Sequence, residues 1–249
     1  MPEESSGEPN QAVPAAGSYP PGEGAILRRA ASVEQFPLFA NISGADCGEI
    51  VSRARERQFS RHQTIFMEGD PVRDIILLIS GSAKITQLGQ NASTVILRIV
   101  GPGEIVDVVG LSEHCSTAQA LSDSTALVWD TNAFEGLAAL YPAFSWNMVK
   151  LVSRHLTELE ERYREVSTEK VAARLSHQLT RLLQQVGPQP DGTLEINLSR
   201  EELAQLTGTT SFAVGRLLSE WEQRGVVSTR RGTVSVQDVE TLREVSESE

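Results

Sequence analysis

The chain has 249 residues, enough for two domains and a tail, and its formal net charge of −11 gives no sign of a general nucleic-acid-binding surface. Its two cysteines lack C-x-x-C spacing, which excludes a disulfide framework and an iron–sulfur cluster held by four cysteines. No apolar run is long enough to cross a membrane and no signal peptide is visible, so a cytoplasmic protein without membrane association is expected.

The first part of the chain predicts a tail followed by a small β domain. Residues 1–24 are rich in Pro, Gly, Ser and Glu, which predicts disorder. Ser43 can cap a short helix that ends near Ala54. Short apolar runs separated by glycine-containing turns then follow at 64–67, 75–79, 83–86, 95–100, 118–121 and 126–129. Such spacing predicts an antiparallel, jelly-roll-like β-roll, here a sensor domain over residues 25–141.

A helix cap at Asp130 or Thr131 is followed by a long helix that begins at Pro142, because proline suits the first turn of a helix. Along this helix apolar side chains recur at steps of three and four between charged residues. This apolar stripe consists of Met148, Val152, Leu156, Leu159, Tyr163 and Val166, and His155 borders it. The stripe either packs on its own β-roll or joins a second copy of the chain.

Because the stripe continues beyond the strand region, we favour a dimerisation helix over residues 142–166. Ser167 and Thr168 can cap the next helix, which predicts an interdomain hinge at 166–168.

Residues 167–249 predict a winged helix-turn-helix domain. Ser199 and Glu202 form a capping-box pattern at one short helix, and Thr210 can cap a second helix after a turn at Gly208. A β-hairpin with two arginines at its tip follows as the wing. Residues 171–249 carry 8 basic and 11 acidic side chains, so DNA binding depends on where the basic residues lie.

The predicted DNA-binding surface combines the start of the first helix, the turn, the outer face of the second helix and the wing tip. Its residues are Arg200, Thr209, Thr210, Ser211, Phe212, Gly215, Arg216, Arg230 and Arg231. Arg216 suits a bidentate contact with guanine. Phe212 either packs inside the domain or, if exposed, lies on a thymine methyl group.

In this order, a β-roll, a long helix and a winged helix-turn-helix resemble the Crp/Fnr family of bacterial transcription regulators. The resemblance covers residues 33–243 and rests on Glu68-Gly69-Asp70, Ile79-Ser80-Gly81-Ser82-Ala83, Gly101-Pro102-Gly103-Glu104, and Leu198 to Ala204 continued through Gly208 and Arg216. It implies an α+β fold and a dimeric, sequence-specific regulator of transcription. The implied partners are a palindromic operator in double-stranded DNA, a second copy of the chain and, as a further candidate, RNA polymerase.

The resemblance also implies an effector pocket in the β-roll. Its candidate residues are Gly103, Glu104, Asp107, Val108, His114, Cys115, Ser116 and Thr117. Cyclic-AMP-binding members hold the ribose with a Gly-Glu pair and the cyclic phosphate with an arginine. Here Asp107-Val108 replaces the pair, and residues 114–118 contain no arginine. Because Asp107 would repel a phosphate that has lost its guanidinium partner, cyclic AMP is not expected to bind.

Other members of the family sense gases through haem, for which His114, Cys115 and His155 are candidate ligands here. A lone histidine is more often a hydrogen-bonded structural residue, so the identity of the effector stays open. The family also reads bases with an arginine and a glutamate where Ser211 and Phe212 stand. A different operator sequence is therefore expected.

Two other function classes remain. The first is a ligand-binding or protein-interaction module whose helix-turn-helix no longer binds DNA, which the acidic balance and the two replaced base-reading residues favour. The second is an enzyme. It ranks last, because the sequence contains no P-loop, no nucleophile–base arrangement and no metal motif such as H-E-x-x-H.

Overall fold

The computed structural model describes residues 23–90, 93–106, 110–186 and 195–247. The predicted tail at 1–24 thus lies outside the described residues except for its last two positions. The described chain begins with a helix that the sequence analysis missed, α1 (Glu23–Val33). A 3₁₀ turn at Pro37–Phe39 and helix α2 (Gly44–Ser52) follow. Helix α2 has the predicted cap, since the backbone N–H of Asp46 donates to Ser43 Oγ at 3.1 Å.

The β-roll consists of two antiparallel sheets with strand orders β1–β7–β3 and β2–β6–β4–β5. The strands are β1 (Arg55–Phe59), β2 (Thr64–Phe66), β3 (Asp74–Ser80), β4 (Ala83–Leu88), β5 (Thr94–Val100), β6 (Thr117–Ala120) and β7 (Ser124–Asp130). Side chains from both sheets share one buried core, as the alternation of side chains along a strand allows. The predicted antiparallel β-roll is confirmed.

Strand β1 was not among the predicted strands. Its sequence, Arg-Glu-Arg-Gln-Phe, has a single apolar residue, and Phe59 is its one fully buried side chain. Pairing with β7 along all five residues makes this segment a strand. Tertiary contact therefore overrides a weak local pattern.

Helices α3 (Thr131–Leu140) and α4 (Pro142–Thr168) follow the roll. Asp130 is the cap of α3, since the backbone N–H of Ala133 donates to its Oδ1 at 2.9 Å. The aromatic rings of Trp129, Phe134 and Phe144 lie in one buried cluster with residues of α1 and α2. This cluster covers the outer side of the β1–β7–β3 sheet.

The prediction that Ser167 and Thr168 cap the next helix is wrong. Both residues stay inside α4, where their hydroxyls donate at 2.8 Å to the carbonyl oxygens of Tyr163 and Arg164. Bonding to the carbonyl four residues back keeps these side chains compatible with a helix interior. The helix ends at Thr168, and the next residue, Glu169, is extended. The break in the helix therefore comes after residues 166–168 and not within them, as the predicted hinge required.

The C-terminal part contains α5 (Val171–Val186), β8 (Glu195–Ile196), α6 (Arg200–Thr207), α7 (Ser211–Gln223), β9 (Val227–Arg230), β10 (Thr233–Val236) and α8 (Val239–Glu247). Strands β8, β10 and β9 form a three-stranded sheet, and α8 was not predicted. The core of this part includes Leu175, Leu203, Val214 and Trp221.

The winged helix-turn-helix packs directly on the β-roll of the same chain. Three residues of the roll, Ile96, Ile99 and Leu121, are buried in the same apolar cluster as the C-terminal helices. Beside this cluster Lys84 Nζ donates to Glu202 Oε1 at 2.8 Å. The β-roll and the C-terminal domain thus share an apolar and an ionic contact.

The guanidinium of Arg162 joins three elements at this contact. It donates to the carbonyl oxygen of Leu97 in β5 and, at 3.0 Å, to that of Leu206 in α6. Burial, together with the positive charge of Arg181, lowers the pKa of Arg162 from its ordinary value. Since arginine remains charged in proteins, this side chain fixes α4, β5 and α6 relative to one another.

Candidate nucleic-acid interface

Local capping interactions define the helix-turn-helix. The backbone N–H of Glu202 donates to Ser199 Oγ at 3.2 Å, and the N–H of Ser199 donates to Glu202 Oε2 at 2.9 Å. Helix α6 then ends at Gly208, whose φ of 62° lies in the left-handed region that favours glycine. The N–H of Ala213 donates to Thr210 Oγ1 at 3.2 Å, which begins α7 at the predicted cap.

Helix α7 has one buried and one open face. Val214, Leu218 and Trp221 are buried in the domain core. The opposite face exposes Ser211, Arg216 and, with 81% of its surface accessible, Phe212. Of the two interpretations of Phe212, packing inside the domain is therefore wrong.

The remaining predicted DNA-binding residues lie beside this face. Thr210 is exposed, while Thr209 and Gly215 are half-buried. Arg200 is the first residue of α6, and its guanidinium extends towards α7, since a β-carbon built at Gly215 would lie 3.6 Å from Nη1 of Arg200. The open position at Gly215 leaves room for this cation.

A basic cleft of about 560 Å³ lies between the start of α6 and the wing. Its basic residues are Arg200, Arg230 and Arg231. In the β9–β10 hairpin Arg230 pairs with Thr233, so Arg231 and Gly232 form the turn. The predicted wing arginines therefore lie at the tip of the hairpin, on the same cleft as the start of α6.

An acidic residue near the wing has a structural role. The carboxylate Oε1 of Glu222 in α7 accepts a hydrogen bond from the backbone N–H of Thr229 at 2.7 Å. Its oxygens also lie within 3.3 Å of the Thr229 hydroxyl. Glu222 thus holds the wing against α7.

Most of the apolar stripe on α4 faces outward. The exposed fractions of Leu156, Leu159 and Tyr163 are 56%, 57% and 76%, and Val152 and Val166 are also exposed. Trp146 and Val149, which the sequence analysis did not assign to the stripe, add exposed apolar surface at the start of α4.

One residue of the stripe, Met148, and the bordering His155 instead contact their own chain. Met148 is partly buried against the cluster beneath α3 and α4. His155 is half-buried, and its Nε2 lies 3.8 Å from Glu104 Oε1. The interpretation that α4 packs on its own roll is therefore correct for part of the helix, on the side that includes Phe144 and Leu151.

The candidate effector residues fall into two groups with different neighbours. The first is next to α4, where Glu104 Oε1 accepts a hydrogen bond from Arg154 at 3.2 Å. Burial raises the pKa of the Glu104 carboxyl, but the nearby His155 ring, a hydrogen bond from the Gly101 amide and the positive charge of Arg98 leave that pKa below its ordinary value. Glu104 is therefore an anion within a charged network.

The second group lies next to β2. The ring of His114 is buried and stacks on Phe66, with 3.8 Å between the ring centroids. Thr117 Oγ1 accepts a hydrogen bond from the backbone N–H of Glu68 at 3.1 Å, Ser116 is buried and Cys115 is exposed. Asp107 and Val108, which carry the argument against cyclic AMP, lie outside the described residues.

A cation that the sequence analysis did not consider lies beside the chain at Ile105 and Val106, close to Glu104. The guanidinium of Arg98 in β5 donates to the carbonyl oxygens of Ile105 and Val106 at 3.0 and 3.1 Å.

Among the described residues, no group of three or more His, Cys, Asp and Glu side chains could hold a metal ion. The same part of the chain has no helix that is long and apolar enough to cross a membrane.

Comparison with known families matches both halves of the chain. Residues 56–141 match the cyclic nucleotide-binding domain, and residues 173–245 match the Crp-like helix-turn-helix domain. The chain is 25% identical over 210 residues to the CRP-like cAMP-activated global transcriptional regulator of Mycobacterium tuberculosis, covering 82% of this chain and 94% of that protein. It is 28% identical over 216 residues to the cyclic AMP receptor protein of Thermus thermophilus, covering 84% and 96% of the two chains.

The fold agrees with these similarities. The solved structure of FixK2 from Bradyrhizobium japonicum matches with a TM-score of 0.70 at 16% identity, covering 77% of this chain and 96% of the other. The two family models together match more than half of the chain and in the order that the β-roll and the winged helix-turn-helix occupy. The protein is therefore a member of the Crp/Fnr family, a transcription regulator with a helix-turn-helix DNA-binding domain.

Proposed function

We propose that this regulator acts in the cytoplasm as a homodimer that binds a palindromic DNA operator. The observation that carries the proposal is the continuity of one surface. Arg200 links the two parts of this surface: its guanidinium lies beside Gly215 of α7, one residue before the exposed Arg216, and it lines the basic cleft together with Arg230 and Arg231. A recognition helix supplies base contacts, and neighbouring cations supply phosphate contacts.

The outward-facing part of the apolar stripe supports the dimer. Five of its residues are exposed in the single chain, and they lie on the helix that links the sensor to the DNA-binding domain. A second copy of α4 would cover them and would place two recognition helices around a two-fold axis. Such symmetry requires two equivalent half-sites in the operator.

We expect Arg216 and the wing to contribute differently to DNA binding. Selection from a pool of random duplexes with the full-length protein supplies the operator for this test. Arg216→Ala should weaken binding to that operator by about 1–3 kcal/mol and relax the preference at one base pair per half-site. Changing both Arg230 and Arg231 to Ala should instead weaken binding to all sequences alike.

Titration across a salt series separates the two roles. If each wing arginine contacts one phosphate, a dimer of the double variant loses four phosphate contacts. The slope of log K against log salt concentration should then be shallower by about 4 × 0.9. The matched control changes Arg53 and Arg61, two exposed arginines outside the DNA-binding domain, and should keep the wild-type slope. Equal losses on operator and scrambled DNA for Arg216→Ala would contradict its base-reading role. An unchanged slope for the Arg230 and Arg231 double variant would show that the wing does not contact DNA.

We further propose that cyclic AMP is not the effector, although two relatives are named for it. The support is the Asp107-Val108 pair and the lack of arginine at 114–118. Calorimetric titration of the protein with cyclic AMP should give no binding heat, whereas a cyclic-AMP-binding family member should give a clear isotherm under the same conditions. An affinity in the micromolar range would contradict this proposal.

The alternative function is a sensor or interaction module that has lost DNA binding. Failure of the selection to enrich any sequence would favour that alternative. An enzyme has no support from the relatives, of which the Mycobacterium tuberculosis protein is named as a transcriptional regulator.

A further inference from the structure

We propose that Phe212 reads the 5-methyl group of a thymine that lies within two base pairs of the base that Arg216 contacts. The inference rests on the proposed DNA-binding function and specifies part of its sequence preference. Phe212 is the second residue of α7 and has an exposed fraction of 81%, the largest among the exposed large apolar side chains of the described residues. Single exposed apolar residues are common on proteins, so the argument depends on where this ring lies.

The ring lies at the N-terminal end of helix α7, the helix that the proposal places in the major groove of DNA. The N-terminal residues of a recognition helix are those that contact base edges. One turn later stands Gly215, which has no side chain to cover the ring, and Val214 points into the core. Phe212 is therefore free to contact whatever the helix docks against.

The spacing of Phe212 and Arg216 fixes which bases they can reach. Residues four apart lie on the same face of a helix, with about 5–6 Å between their β-carbons. Successive bases along one strand are about 3.4 Å apart. The two side chains should therefore contact base pairs that are one or two steps apart.

The chemistry of the ring selects the base. A phenyl group neither donates nor accepts a conventional hydrogen bond, so it cannot read the polar edges of adenine, guanine or cytosine. In the major groove the only apolar group at a base edge is the C5 methyl of thymine. Arg216 pairs with the N7 and O6 acceptors of guanine. The combination predicts a thymine within two base pairs of a guanine in each half-site.

The test removes the methyl group and nothing else. In the selected operator each thymine of a half-site is replaced in turn by uracil, which keeps base pairing and stacking. At one position per half-site the wild-type protein should bind about fourfold more weakly, the value of one buried methyl group. Replacing that thymine in both half-sites should weaken binding about fifteenfold.

Three variants complete the experiment. Phe212→Ala should bind the thymine operator more weakly than wild type and show no further loss on the uracil operator. Phe212→Leu, which keeps an apolar contact, and Arg216→Ala, which lacks the guanine contact, should both stay sensitive to uracil. Because position 212 is exposed, all Phe212 variants should unfold at the wild-type temperature.

Two results would overturn the inference and leave DNA binding intact. The first is wild-type affinity that no uracil replacement changes, which would indicate stacking or no base contact. The second is an equal uracil penalty in wild type and in Phe212→Ala, which would assign the methyl group to another residue. A protein that selects no sequence would overturn the proposed function, and with it this inference.

Discussion

Leu159→Glu is expected to convert the proposed dimer into monomers and to abolish tight binding to a two-half-site operator. Leu159 lies in the middle of the apolar stripe, and 57% of its surface is exposed in the single chain. In a dimer the variant would place two carboxylates at a buried contact and lose two leucine side chains. Burial of one leucine is worth about 1.5–3 kcal/mol, and the dimer loses two. The dissociation constant of the dimer should therefore rise by a factor of about 10²–10⁴.

Sedimentation velocity at micromolar concentration measures this change. The control is Leu140→Glu, which introduces the same charge at a leucine that is 61% exposed but lies on α3, away from the stripe. That variant should remain dimeric. Both variants should keep wild-type secondary structure, because both positions are exposed in the folded chain. A Leu159→Glu protein that sediments as a dimer would rule out the stripe as the dimer contact.

A large loss of stability is expected on substitution of Glu165, a buried residue of α4 that is paired with Arg181 of α5. Its carboxylate accepts two hydrogen bonds from the Arg181 guanidinium, at 2.7 and 2.6 Å, and its exposed fraction is 5%. Breaking a buried pair leaves a charge without a partner. Because Arg181 keeps some contact with solvent, Glu165→Gln should lower the free energy of unfolding by about 2–4 kcal/mol.

The loss should depend on pH. Burial raises the pKa of Glu165, but the hydrogen bonds and charge of Arg181, followed by the charges of His177 and Arg164, outweigh it and leave that pKa below its ordinary value. A carboxyl with a lowered folded-state pKa stabilises the protein at neutral pH and loses that contribution as pH falls through the folded-state pKa. The difference between wild type and Glu165→Gln should therefore shrink below the ordinary glutamate value of about 4.3.

Denaturant unfolding at several pH values checks this expectation. The matched control is Glu158→Gln, which breaks an exposed pair with Arg154 at 3.4 Å one turn away on α4. Exposed pairs of this spacing contribute only about 0.3–0.5 kcal/mol. Similar losses for the two variants, or a Glu165→Gln loss that does not change with pH, would contradict the assigned role of the buried pair.

Local signals explain which parts of the fold were predictable. The caps Ser199 and Thr210 bond to backbone groups three residues away, so residue type and spacing reveal them in the sequence. Helix α8 has the same kind of cap, which the sequence analysis overlooked, since the backbone N–H of Thr241 donates to Asp238 Oδ1 at 3.0 Å. Strand β1 lacked such a pattern. The contacts of Arg162 with Leu97 and of Lys84 with Glu202 join residues 65 and 118 positions apart, and no local pattern indicates them.

Among the candidate DNA-binding residues, too, some features follow from the local sequence and others depend on contacts between distant segments. Their exposure on α7 followed from helical periodicity, which separated Val214 and Trp221 from Arg216. The approach of Arg200 to Gly215 depends on how α6 and α7 cross, which the sequence does not specify. The effector pocket was predicted as one site from a resemblance, whereas its described residues lie in two groups with different neighbours.

The two oxygens of Glu202 have separate tasks. Oε1 accepts a hydrogen bond from Lys84 of the β-roll. Oε2 accepts hydrogen bonds from the backbone N–H and the hydroxyl of Ser199, both at 2.9 Å, and these keep the start of α6 ordered. Loss of the Lys84 contact would leave the capping box complete. Undocking from the roll would expose Ile96, Ile99 and Leu121 but would not unwind α6. The winged helix-turn-helix would then separate from the β-roll as a rigid body and dock again without refolding.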